Sequence, residues 1–332
     1  MKIVADRNIP FLENRIHGAE LIALPADEID RHAVEDADAL VVRTRTRCDS
    51  ALLRGSGVRL VATATIGTDH IDLPWCEANG ITVRNAPGCN APGVALYVWS
   101  SLLRSGFRPE THTLGIVGCG NVGGIIAGWA RCLGVDTLIC DPPRKDAGHD
   151  DFEYLPLEEV LRRSDAVTVH TPLTRGGEYP TFHIIDRHTL PWLKPGAIFV
   201  NAARGEVADT EALCDAIADG RIGKAVIDTW EGEPRIDPRL LSLSDIATCH
   251  IAGYSVEGKQ RATRMALEAV ARTLGVEVDL TGLQGEYKAP AALSAGRIVG
   301  AYDPTPMTAA LKADPAAFET LRNTYPLHRE IL

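Results

Sequence analysis

Leu114-Gly115-Ile116-Val117-Gly118-Cys119-Gly120-Asn121-Val122-Gly123 decides how this chain is read. An apolar run meets a Gly-x-Gly-x-x-Gly segment, and a helical stretch, Ile125–Leu133, follows it. The first glycine makes a tight turn, the second lets backbone approach a pyrophosphate, and the third lets the helix pack closely on the strand. The helix start offers amide groups and the positive end of its dipole to an anion. Asp141 ends the next strand-like run, about 20 residues beyond the glycines, where a ribose-binding carboxylate belongs. Such an acid accepts hydrogen bonds from ribose hydroxyls and repels a 2′-phosphate. NAD is therefore expected over NADP, and Arg144 is the residue that softens that preference. The expected cofactor contacts begin with Gly118, Gly120, Asn121, Val122, Gly123 and Asp141.

Working outward, short apolar runs alternate with helix-period segments, the pattern of an α/β protein with parallel sheets. Before the glycines, strands are expected at Lys2–Ala5, Leu21–Leu24, Ala39–Val42, Leu60–Ala62 and Thr82–Val83, with helices at Asp49–Arg54 and Leu73–Ala78. A long helix, Ala91–Arg104, tolerates Pro92 in its first turn. The second series of strands reads Leu114–Val117, Thr137–Cys140, Ala166–His170, Ile198–Asn201, Ala225–Asp228 and Ile246–Cys249, and a helix from Glu257 to Leu274 leads back. The fold class is thus α/β with two doubly wound parallel-sheet domains: a flavodoxin-like domain split by an inserted Rossmann domain, plus a short C-terminal appendage. The expected boundaries are 1–93 and 251–281 for the split domain, 94–250 for the insert and 282–332 for the appendage, which closes with a helix at Pro315–Thr324.

The 332 residues carry a formal charge of −10, which argues against a nucleic-acid footprint, so any anionic ligand needs a local basic cluster. Eight cysteines lie scattered with no Cys-x-x-Cys pair, which reads as small buried hydrophobes, with no disulfide framework and no metal site. No apolar run reaches the ~20 residues that span a bilayer, and Met1–Asp6 lacks signal-peptide anatomy. A cytoplasmic address is expected.

Ligands of open α/β sheets sit at the carboxyl ends of strands. Thr171, Arg204, Asp228 and His250 all follow strand-like runs, and Glu233 lies in Asp228-Thr-Trp-Glu231-Gly-Glu233-Pro234. An imidazole removes a hydroxyl proton, a carboxylate orients the imidazole, and a guanidinium clamps a carboxylate through paired hydrogen bonds. Arg204, Glu233 and His250 are the candidate catalytic set. Asp228 is a candidate for the nicotinamide carboxamide, and Ala202, Ala203 and Gly253 complete the expected cofactor contacts.

Asn-Ala-Ala-Arg204-Gly, Asp228-Thr-Trp-Glu-Gly-Glu-Pro and His250-Ile-Ala-Gly-Tyr254, with the glycine fingerprint, resemble the NAD-dependent D-isomer-specific 2-hydroxyacid dehydrogenases. The resemblance covers residues 1 to about 280. More discriminating strings, Ala86-Pro-Gly-Cys-Asn-Ala91 and Cys140-Asp-Pro-Pro-Arg144, point to members acting on a phosphorylated hydroxy acid. The resemblance implies that Arg204, Glu233 and His250 are catalytic and that Thr44, Thr65 and Tyr254 contact substrate. Val41-Val-Arg43-Thr44-Arg45-Thr46-Arg47 supplies a phosphate receptor; if the chain stays extended there, its three arginines point one way. The resemblance also implies a homodimer. Relatives carry a longer C-terminal dimerisation domain than residues 282–332 provide. Two alternatives share the pattern: a family member acting on 3-phosphoglycerate or glyoxylate/hydroxypyruvate, and a non-catalytic NAD(H)-sensing interaction protein.

Overall fold

The computed structural model describes residues 1–148 and 152–331. The chain divides into two compact units, Met1–Asn90 with Ser255–Lys288, and Ala91–Tyr254 with Ala289–Leu332.

In the first unit, five parallel strands lie in the spatial order Glu20–Leu24, Lys2–Asp6, Ala39–Val42, Leu60–Thr63, Thr82–Arg84. This is the 2-1-3-4-5 order of flavodoxin-like folds. Period-2 alternation divides each strand between two cores. Ile3, Ala5, Ala39, Val41, Leu60 and Ala62 join one cluster, while Val4, Leu40, Val42 and Val61 join the other. Both faces are covered, which is why the sequence shows unbroken apolar runs. The returning helix Val256–Leu274, N-capped by the Ser255 hydroxyl, lays Ala262, Ala266, Leu267 and Val270 on the first of these cores.

The second unit holds six parallel strands in the order Ile246–Ala247, Ile222–Ile227, Ala197–Asn201, Ala166–Val169, Leu114–Val117, Thr137–Cys140. An isolated bridge from Ile139 to Tyr154 extends the far edge. The strand order reverses between Leu114–Val117 and Ala166–Val169, so the switch point lies beside the glycine turn. The helix Ala91–Arg104 is buried along almost its whole length, with Tyr97 and Trp99 fully enclosed.

The tail belongs to this second unit. Ile298, Leu311, Phe318 and Ile331 enter its core. The edge strand's Ala247 amide donates to the Thr308 hydroxyl at 2.9 Å, so the helix Thr305–Ala313 covers that edge. The helix expected at Pro315–Thr324 is present as a 3-10 turn Pro315–Ala317 leading into Phe318–Thr324, and two further helices, Ala295–Ala301 and Thr305–Ala313, precede it.

Seven of the eight cysteines are buried and none of the eight is in a disulfide; burial pushes the Cys48 and Cys249 thiols up to about 12. No described helix is long and apolar enough to cross a membrane.

Candidate active site

The glycine turn is shaped by contacts no side chain would fit. Gly118 has φ +91°, and a Cβ there would lie 2.8 Å from the carbonyl carbon of His170 and 2.8 Å from the Thr171 amide nitrogen. A Cβ on Gly123 would meet the Gly118 carbonyl oxygen at 2.1 Å. Gly120 opens the helix Asn121–Leu133 with no side-chain cap on its amides; Val122 follows in the first turn. The Asp141 carboxylate accepts the Cys119 amide at 2.7 Å and the Arg144 amide at 3.1 Å, tying the turn to the next helix. The Thr171 hydroxyl is buried without a protein partner. A backbone cradle, an uncapped helix start and an orphaned hydroxyl at a switch point together fit a dinucleotide. His170, hydrogen-bonded to the Thr168 hydroxyl at 2.7 Å, is pushed by burial down to about 3 and stays neutral.

The three loops bearing the catalytic candidates are laced together. The Asn201 carbonyl accepts the Asp228 amide at 2.9 Å, and the Asp228 carbonyl accepts the His250 amide at 2.8 Å. Gly205 lies so close to the next loop that a Cβ would sit 1.9 Å from the Trp230 carbonyl carbon. Arg204, in extended backbone, donates from Nη1 to the Ala203 carbonyl at 2.8 Å. The Ala203 amide donates to Asn201 Oδ1 at 3.1 Å, which fixes the Ala202–Ala203 turn.

Glu233 and His250 meet. Oε2 of Glu233 lies 2.8 Å from Nδ1 of His250, and Oε1 accepts the Trp230 amide at 2.9 Å. The neighbouring Glu231 is engaged elsewhere, with His183 at 2.7 Å and the Thr210 amide at 3.0 Å. Burial alone would raise Glu233. The His250 hydrogen bond and charge, the Trp230 amide and the charge of Arg322 outweigh it and hold the carboxyl below its usual range. An imidazole bound at Nδ1 keeps Nε2 for a proton transfer.

His250 itself sits at φ +57°, a left-handed conformation that costs about 1–2 kcal/mol outside glycine. Asp228 holds it there. Its buried carboxylate accepts the Ile251 amide at 2.8 Å, the Ala252 amide at 3.1 Å and the Thr248 hydroxyl at 2.6 Å, and Thr248 meets the Tyr97 hydroxyl at 2.8 Å. Sequence reading gave Asp228 to the nicotinamide; Oδ1 takes two of these loop bonds and Oδ2 one, which leaves Oδ2 a lone pair for a further donor. The Tyr254 amide, past Gly253, closes the turn on the Ile251 carbonyl at 2.9 Å.

The first unit corrects one expectation. Residues 44–46 form a turn and bend, so the arginines do not line one side of an extended strand. Arg43 reaches the Asn8 carbonyl at 3.1 Å, and Arg47 pairs with Asp49 at 2.8 Å, the residue that caps Ser50–Leu53. Between the strand's end at Val42 and the helix start at Ser50 the chain turns, and Asp49 both caps that helix and holds Arg47. Thr44 and Arg45 are exposed in this turn. The Thr65 hydroxyl lies 2.7 Å from that of Thr63 and 3.2 Å from the Gly67 carbonyl.

The profile of the D-isomer specific 2-hydroxyacid dehydrogenase NAD-binding domain matches residues 94–252. An erythronate-4-phosphate dehydrogenase of Bacteroides fragilis is 44% identical over 339 residues, covering 99% of this chain and 97% of that protein. The chain belongs to this family of D-isomer-specific 2-hydroxyacid dehydrogenases. A namesake from Escherichia coli O157:H7 is 45% identical over 282 residues, 83% of this chain but 74% of that protein. The expectation of longer relatives therefore does not extend to the Bacteroides protein, which is matched almost end to end. An NAD+-bound 3-phosphoglycerate dehydrogenase from Entamoeba histolytica shares the fold, with TM-score 0.68 and 24% identity over 87% of this chain and 99% of its own. The chain is an NAD-dependent dehydrogenase with NAD as its cofactor.

Nothing in the sequence motifs pointed to Arg322, which lies in the tail yet carries charge to Glu233 and hydrogen-bonds the Tyr254 side chain.

Proposed function

We propose that the protein oxidises 4-phospho-D-erythronate to 3-hydroxy-2-oxo-4-phosphooxybutanoate, in the route to pyridoxal 5′-phosphate (vitamin B6). NAD, when bound, accepts the hydride from C2. His250 removes the C2 hydroxyl proton through Nε2, and Glu233 orients the ring and offsets its positive charge. Arg204 holds the C1 carboxylate. Arg43, Thr44, Arg45 and Thr65 are the proposed phosphate-side residues, with Tyr254 as a further substrate contact. Gly118, Gly120, Asn121, Val122, Gly123, Asp141, Thr171, Ala202, Ala203, Asp228 and Gly253 are the proposed cofactor contacts. The protein is proposed to work in the cytoplasm as a homodimer.

The observation that carries the chemistry is the 2.8 Å contact between Glu233 and His250, on a loop beside a dinucleotide fold. The substrate rests on the names of relatives similar over nearly the whole chain. The test is NADH formation, followed optically, across 4-phosphoerythronate, 3-phosphoglycerate, glycerate and lactate. The highest kcat/KM is expected on 4-phosphoerythronate; best turnover on a non-phosphorylated acid would overturn the choice of substrate.

A further inference from the structure

The tail helix Phe318–Thr324 is anchored by Phe318, which is wholly buried in the core of the second unit. Arg322 is four residues on, so it lies on the same face and points inward. Its side chain is 21% exposed, with Nε buried and unpartnered, and its contact with Glu319 is loose, at 3.6 Å. A guanidinium is costly to bury, and it persists where charges nearby compensate. Here they are the Tyr254 hydroxyl, to which it is hydrogen-bonded, and the Glu233 carboxylate. The tail grips Tyr254 twice more: the His328 amide donates to its carbonyl at 3.2 Å, and the Tyr325 ring meets its ring edge-on at 6.4 Å. Tyr325 is in turn tied to Tyr302 through their hydroxyls at 2.7 Å.

We propose that Arg322 is a positioning residue of the dehydrogenase site. It fixes the Tyr254 hydroxyl and, through its charge beside Glu233, sets how readily the Glu233–His250 pair takes up a proton. This rests on the roles proposed above for those two residues. The other titratable groups facing the pair are Asp228, Cys249 and Tyr254, with Arg204 on the adjoining loop. These three are acids whose charged forms favour a proton on the pair; the Arg322 cation opposes it. Removing that cation makes protonation easier, so the acid limb of hydroxy-acid oxidation, which needs the pair unprotonated, moves to higher pH.

The experiment is a proton NMR titration of the His250 ring in the cofactor-free protein, with pH profiles of kcat/KM alongside, for the parent, Arg322→Met and Arg322→Lys. Arg322→Met is expected to raise proton affinity roughly threefold to tenfold, as for one charge several ångströms away in a partly solvated site. Arg322→Lys keeps the charge and is expected to titrate like the parent while losing kcat. An unchanged midpoint in Arg322→Met would overturn the proposal. So would an equal loss in both variants that tracks their melting temperatures. Should Arg322→Met not fold, Arg322→Gln carries the same comparison. The titration needs no substrate, so failure of the assigned reaction and failure of this role are read separately.

Discussion

The chemistry proposed for this protein turns on how two side chains are held. Glu233 makes one hydrogen bond to His250 and one to the Trp230 amide, so its carboxylate has little freedom to turn. His250 keeps an unfavourable backbone conformation because the Asp228 carboxylate accepts the amides of the next two residues, Ile251 and Ala252. A general base contributes about 10²–10⁴-fold, so His250→Ala is expected to lower kcat by that range. NADH affinity, measured by fluorescence titration, is expected to stay near parental, since the glycine turn and Asp141 lie on other elements. Equal loss of turnover and NADH binding would mean that the loop had collapsed. The sequence paired Glu233 with His250 because each lies in a loop that follows a strand, where the sheet presents its carboxyl end, and the two side chains do meet. It did not reveal the internal partners of Asp228, since nothing in a linear string says which of a carboxylate's oxygens face inward.

At the scale of elements, the strands of both sheets were legible and the tail was not. Leu114–Val117 and Ala39–Val42 are short runs buried on both faces, so apolarity alone marks them. The helices Ala295–Ala301 and Thr305–Ala313 bury only Ile298 and Leu311 fully, too sparse a pattern for a period of 3.6 to show. The arginine segment failed for a different reason: its composition suited extension, but the strand ends at Val42 and the chain turns at residues 44–46 before the helix capped by Asp49. Thr308 carries the tail's clearest structural duty, accepting the buried Ala247 amide of the edge strand. Thr308→Val keeps the shape and removes the acceptor. It is expected to cost about 1–3 kcal/mol, read as a lower urea midpoint. A midpoint equal to the parent's would show that the edge does not need its cap.

For the whole molecule, a net charge of −10 favours solubility, and the basic residues that matter are local ones. The tail contributes core residues and Arg322 to the second unit, so its work is already accounted for within one chain. Sedimentation equilibrium tests the proposed homodimer: a mass near twice 35.7 kDa is expected, and a single-chain mass at micromolar concentration would remove it. Cutting the chain after Lys288 should then damage the monomer itself as well as any association.

Gly205 has a consequence for how such an enzyme diversifies. With room for no Cβ against Trp230, the stretch bearing Arg204 and the stretch bearing Glu233 are welded into one piece. Neither is free to shift to suit a larger or smaller acid without dragging the other. New substrate preferences are therefore expected on other parts of the chain, such as the turn around Thr44 and Arg45, while these two stretches change only together.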